Sequence, residues 1–337
     1  MNEPLRPPIT PTEAQVADAL PTSSGWAFEP KWDGFRVLGW SEPVRLDSRN
    51  GKALLRYFPE LEPALNSLPR ATVVDGEVLV VVGDRSDFDA LQARIHPAAS
   101  RIAKLSVEIP ATLVAFDLLA LEGEDLRPLP FAERRARLQS IETPGWRITP
   151  STDDLDEARR WFEEFESAGC DGIVAKRLDL AYRDGRRDMI KVKHRRTADV
   201  VVGGYRVGKN GGLGALLLGM YDEAGLLHFV GHCSSFSTSD RTLLLEQFAQ
   251  VKADSSFSDG ARRPEIENRW SYNRETSWTP VVPGIVMEVS YDQVTDRRFR
   301  HATRFLRWRD DKEPRACTLD QLDRIDGLGV SSVLSNA

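Results

Sequence analysis

The sequence predicts an α+β protein of two domains, and three observations carry that reading. The chain has 337 residues, more than one ordinary core organises and fewer than three would need. Its first part mixes runs of period two with segments of helical spacing, whereas from Asp199 onward short apolar strands separated by glycines dominate. No apolar run approaches the roughly 20 residues of a spanning helix, and the start, Met1-Asn2-Glu3-Pro4, lacks the basic end and apolar stretch of a signal peptide. The expectation is a cytoplasmic monomer without membrane contact, with domains at 1–197 and 198–318 and a C-terminal tail at 319–337.

In the first domain, residues 26–30 lead into the segment 31–36. Residues 37–40 and 44–48 then read as strands, with Asn50-Gly51 a favoured tight-turn pair. Residues 72–82 and 112–121 are long β-rich runs. Between them 87–102 reads as helix, and 131–141 as a short, heavily charged helix. Leu155, Ala158, Trp161, Phe162 and Phe165 fall at helical spacing, with Asp153 or Asp154 as cap and Gly169 as stop. Residues 172–176 and 189–193 return to period two, which places Lys191 and Lys193 on one face of a strand and Ile190 and Val192 on the other. In the second domain, strands at 200–206, 215–221, 227–230 and 285–291, with a helix near 240–252, fit a small, partly open barrel.

Cys170, Cys233 and Cys317 are far apart and odd in number, so they predict small core residues rather than a disulfide framework. His228, His232 and Cys233 lie on a strand-like run with no second ligand pair, which argues against a metal cluster there. Against 51 acidic residues stand 45 basic ones, a net −6, so any nucleic-acid partner must be held by local patches. Two such patches exist. Residues 186–196 carry six Lys or Arg against one Asp, and 297–312 carry seven against two.

The densest chemical cluster is Lys31-Trp32-Asp33-Gly34-Phe35-Arg36. A lysine attacks phosphorus only as the neutral amine, so its pKa of about 10.4 must be lowered by neighbouring cations or desolvation. Lys191, Lys193 and a bound metal are candidates for that field. The glycine allows backbone to approach a ligand closely. Taken alone, a lysine and an arginine in such a segment are more often solvated surface.

Further segments recur in a known order. Ser48-Arg49-Asn50-Gly51, Asp75-Gly76-Glu77, Phe116-Asp117, Asp171-Gly172-Ile173-Val174-Ala175-Lys176, Lys191-Val192-Lys193 and the run 304–312 accompany Lys31-x-Asp33-Gly34-x-Arg36. Together they resemble the covalent nucleotidyltransferases, specifically the ATP-dependent DNA ligases. The resemblance implies an adenylation domain of antiparallel sheets with flanking helices, followed by an OB-fold barrel. It also implies the short bacterial type, since only about 25 residues precede the catalytic region and leave no room for a separate N-terminal DNA-binding domain.

The same resemblance assigns roles. Lys31 would form lysyl-AMP, with Lys191 and Lys193 beside the α-phosphate. Arg36, Arg49, Glu77, Phe116 and Lys176 would line the ATP site, and Arg307, Arg309 and Lys312 would take the pyrophosphate. Glu77 and Asp171 would hold Mg²⁺ or Mn²⁺, and Arg49, Arg195 and Arg196 would contact nicked duplex DNA. The family usually has glutamate where this chain has Asp171, a change best tolerated by a metal held through water. Asp117 beside Phe116 points to a ligand-facing edge. Apart from the family, Phe116 reads as core, Glu77 as a solvent-face carboxylate and 304–312 as a solvated face. The implied activity is nick sealing between 5′-phosphate and 3′-hydroxyl ends in DNA repair. The alternatives are an RNA-end ligase, a capping-type guanylyltransferase, and a noncatalytic nucleic-acid-binding barrel.

Overall fold

The computed structural model describes residues 5–96, 98–142, 144–209, 211–264, 277–323 and 327–335. It divides into two units, residues 1–194 with 325–337 and residues 195–324. Among the described residues no helix is long and apolar enough to cross a membrane.

The first unit holds two sheets. The larger runs in the order Val44–Ser48, Phe35–Ser41, Val73–Val82, Ala111–Leu121, Glu124–Asp125, with Arg85–Ser86 paired to the third of these strands and Arg147–Ile148 to the fourth. The smaller runs Glu13–Ala17, Arg187–Lys193, Gly172–Arg177, Trp26–Pro30, antiparallel except for the parallel pair formed by Glu13–Ala17. Phe28, Ile173 and Ala175 of the smaller sheet share a core with Leu79 and Val114 of the larger. Burying those apolar faces against each other leaves the opposite face of Gly172–Arg177 and Arg187–Lys193 for polar work. Ile173 pairs with Val192 on the buried side, whereas Val174 pairs with Lys191 on the other, as the alternation requires.

Helices complete the unit, and Ala158 and Trp161 of one of them join that same core. The expected helix at 87–102 is two helices, Phe88–Ala93 and Ala99–Glu108, on either side of position 97, which lies outside the described residues. Asp154 caps Leu155–Glu164, accepting from the Asp156 amide at 2.8 Å. The strand Glu13–Ala17 had no legible signal: it is short and its Val16 is exposed.

The second unit is a barrel. Its sheet runs Leu227–Cys233, Leu213–Tyr221, Arg196–Val207, Val286–Tyr291, Arg304–Trp308. Bulges at Val202/Gly204, Arg206/Val207 and Leu218/Gly219 bend the long strands. The two ends of the sheet meet where Cys233 bridges Thr303 and the Thr303 amide donates to His232 O at 2.9 Å. Leu244 and Phe248 of the helix Thr238–Ala249 fill the interior. All three cysteines are buried and unpaired.

The units divide at 194/195 rather than 197/198, because Arg196 and Thr197 already pair with Tyr291 and Ser290 in the barrel sheet. The described residues of the expected tail, 319–323 and 327–335, pack into the two units. Leu319 and Leu322 belong to the barrel core, while Val330 and Val333 join the core of the first unit. There the Val330 amide donates to Asp84 O at 2.7 Å, and Ser331 N–H donates to Asp84 Oδ1 at 2.8 Å.

Candidate active site

Lys31 stands just beyond the strand Trp26–Pro30, and its backbone continues that strand's pairing. Its amide donates to Gly172 O at 2.8 Å, and its carbonyl accepts from the Asp171 amide at 2.7 Å. This pairing sets the two side chains together: Lys31 Nζ lies 2.9 Å from Asp171 Oδ2. Gly172 has φ +138°, and a Cβ on it would lie 2.0 Å from Val192 O, so only glycine lets the strands close here. At Gly34 a Cβ would lie 2.4 Å from Val78 O. The close approach expected there is therefore to the strand Val73–Val82 rather than to a ligand, and the Gly34 amide donates to Glu77 Oε1 at 3.2 Å.

Lys193 Nζ reaches the same Asp171 oxygen at 3.0 Å. Burial pushes the Lys31 ammonium toward the neutral amine, but the charge of Asp171 and its hydrogen bond outweigh burial and hold the pKa above the ordinary lysine value. The field expected to lower it is thus cancelled in this arrangement. Lys191 behaves the other way: burial, then Lys31 and Lys193, push it down. Glu77 is raised to about 7, because burial outweighs the nearby Lys31 and Arg36.

Lys31, Arg36, Arg49, Glu77, Lys176 and Lys191 line one cavity of about 240 Å³ with Phe116, Glu29 and Trp32. Arg36 forks onto Asp75 at 3.1 and 2.7 Å. Lys176 Nζ lies 4.4 Å from the Phe116 ring centre, donates to Phe116 O at 3.0 Å, and pairs with Glu29 at 2.6 Å. Asp117 does not form the ligand-facing edge expected of it: it is buried and taken by Arg134 at 2.8 and 2.9 Å.

In the second unit, Arg307 pairs with Glu288 at 2.6 Å, Arg309 with Asp199 at 2.8 Å and Asp311 at 2.9 Å, and Lys312 with Asp199 at 3.2 Å. Arg195 is exposed, and Arg196 donates to Asp292 O at 3.1 Å. The two basic patches are therefore less basic than their local counts. Arg187 and Arg297, too, have acidic partners, Glu13 and Asp323.

The family described as "ATP dependent DNA ligase domain" matches residues 9–193, and "ATP dependent DNA ligase C terminal region" matches 209–312. The chain belongs to the ATP-dependent DNA ligase family. DNA ligase C2 of Mycolicibacterium smegmatis is 43% identical over 96% of each chain. DNA ligase C of Mycobacterium tuberculosis is 41% identical over 99% of each. A solved Lig E DNA ligase, 17% identical, shares the fold with a TM-score of 0.56 over 88% of this chain and 99% of that one.

For a DNA ligase of this kind, Glu29 is one cavity residue that the sequence reading missed, and Glu13 is another. Glu29 is buried, its Oε1 has no hydrogen-bond partner, and burial raises its pKa against the pull of Lys176 and Arg135. Its signal was slight: a lone carboxylate two positions before Lys31, on a strand otherwise apolar. The charged helix Phe131–Gln139 also proved structural, since Arg134 and Arg135 are buried.

Proposed function

We propose that this ATP-dependent DNA ligase seals 5′-phosphate/3′-hydroxyl nicks in duplex DNA by three transfers at one centre, the first two of them through Lys31. The lysine amine attacks the α-phosphorus of ATP and pyrophosphate leaves. The 5′-phosphate of the nick then takes AMP from the lysine, and the 3′-hydroxyl finally attacks that phosphate and releases AMP. The observation that carries this reading is Lys31 opening into a cavity with Arg36, Arg49, Lys176 and Lys191, a set of cations suited to spreading phosphate charge.

The residues divide the work. Asp171 orients Lys31 Nζ, and Lys193 on the same oxygen still compensates that carboxylate once Lys31 is neutral. Phe116 offers the aromatic plane for adenine. Glu29 Oε1 accepts no hydrogen bond and has the Arg135 guanidinium at 3.7 Å, so it suits the 6-amino group of adenine, a donor, and would repel the 6-oxo acceptor of guanine. That favours ATP over GTP and sets aside the capping reading. Arg307, Arg309 and Lys312 are assigned to pyrophosphate, and Arg49, Arg195 and Arg196 to DNA.

A divalent cation fits this site. The buried Asp171 Oδ1 has no hydrogen-bond partner, and Glu77 lines the cavity. These two carboxylates would hold Mg²⁺ or Mn²⁺ together with ATP phosphates and water. When bound, the ion supplies positive charge to the phosphate oxygens. Three buried, unpaired cysteines support a reducing cytoplasm as the place of action.

Incubation with labelled ATP or GTP followed by a denaturing gel tests the reading. Covalent AMP on the wild type and none on Lys31→Ala is expected, with unchanged circular dichroism. Label persisting in the variant would move the nucleophile elsewhere.

A further inference from the structure

Tyr182 lies between the strands Gly172–Arg177 and Arg187–Lys193 and is buried. Its phenol donates to Asp75 Oδ2 at 2.7 Å and accepts from the Thr12 amide at 3.1 Å. The same Asp75 oxygen accepts from Arg36 Nη2 at 2.7 Å, with Arg36 Nε on the other oxygen at 3.1 Å. Thr12 is held a second time by its hydroxyl, which donates to Arg183 O at 2.7 Å. It directly precedes the strand Glu13–Ala17, and Glu13, Ala14 and Arg36 all line the cavity that contains Lys31. One phenolic oxygen thus joins two walls of that cavity without lining it. Asp75 is fully buried, so the donors on its two oxygens fix where the Arg36 fork can sit.

We propose that Tyr182 is a positioning residue for ATP binding. Through Asp75 it sets the Arg36 guanidinium, and through Thr12 it holds the wall formed by Glu13 and Ala14. This rests on the assignment of the cavity to ATP.

A double-mutant cycle of Tyr182→Phe and Arg36→Gln, read by self-adenylation across ATP concentrations, tests it. Losing a hydrogen bond to a buried charge should raise KM for ATP about tenfold in Tyr182→Phe while leaving the maximal rate within about threefold. In the Arg36→Gln background the same substitution should change KM less than about twofold, because the residue it acts through is gone. Additive effects on KM, or a fall in maximal rate at unchanged KM, would overturn the positioning role. Should Tyr182→Phe unfold too readily for kinetics, the same cycle is read at reduced temperature by ATP quenching of tryptophan fluorescence, since Trp32 lines the cavity. Lys31→Ala run alongside separates the two readings: covalent label on it would sink the assignment of the site, whereas an unlabelled Lys31→Ala with additive effects sinks only the role of Tyr182.

Discussion

Lys31 Nζ sits 2.9 Å from Asp171 Oδ2, and that nearly fully buried carboxylate keeps the nucleophile protonated at rest. The sign follows from the pair. A raised lysine pKa contributes stability below its unfolded value, and that stability is lost only as pH rises through the folded one. The contribution is therefore complete at neutral pH. Asp171→Asn should cost about 1–2 kcal/mol there, read as a lower Tm, since Lys31 and Lys193 lose their counter-charge while staying partly hydrated. With the Asp171 charge gone, burial is opposed only by the weaker pull of Glu77 and Asp33, so the rise of self-adenylation with pH should move to lower pH even as the maximal rate falls. A rise that stays in place would mean Asp171 does not control the lysine.

Glu77 gives a prediction of opposite sign. Its folded pKa of about 7 lies above the ordinary glutamate value of 4.5. Between those values the folded chain holds a proton that the unfolded chain has lost, so stability falls as pH rises through that window. Glu77→Gln keeps an acceptor for the Gly34 amide and removes the buried charge. It should be more stable than wild type above pH 7, by about 1–3 kcal/mol, while self-adenylation falls by about a hundredfold or more. Thermal melts and labelling at matched pH read both effects, and a variant less stable at high pH would contradict the burial argument.

Arg307 and Lys312 should matter for the first transfer and less for the last. Arg307→Ala and Lys312→Ala are expected to slow self-adenylation by roughly ten- to a hundredfold. Given a pre-adenylated nick, they should seal it within a few-fold of wild type. Equal loss on both substrates would remove the pyrophosphate assignment.

DNA affinity should depend on Arg206, which lies outside both basic runs, together with Arg298 of the second run. Arg206 lies opposite Ala215 and His232 opposite Leu217, which puts both side chains on one face of the barrel sheet. Arg298 lies over the Phe229 ring at 5.1 Å. Burial and then the charges of Arg206 and Arg298 push His232 down. Arg206→Ala and Arg298→Ala should each weaken nick binding and reduce the slope of log affinity against log salt by about 1. Self-adenylation, which involves no duplex, should be unaffected. An unchanged slope would show that this face does not meet phosphates.

Most of the strands and helices, the barrel and many of the cavity-lining residues were legible along the linear chain. Period two put Lys191 beside Lys193, helical spacing gave Leu155–Glu164, and seven ordered segments led to Lys31 and its neighbours. Those signals are local, so a linear reading recovers them. Tertiary structure alone decided which charges remain available. Asp117 went to Arg134, Asp171 to two lysines, and Asp199 to Arg309 and Lys312. It also brought in the strand Glu13–Ala17, the buried Glu29, the link through Tyr182, and the return of Val330 and Val333 to the first core. The physical reason is that an ion pair or a buried contact depends on distance in space, and residues such as Arg309 and Asp199 are remote in the chain. Charge counted along the sequence therefore overstates what the folded surface offers a phosphate, while spacing along the sequence is preserved in every strand and helix.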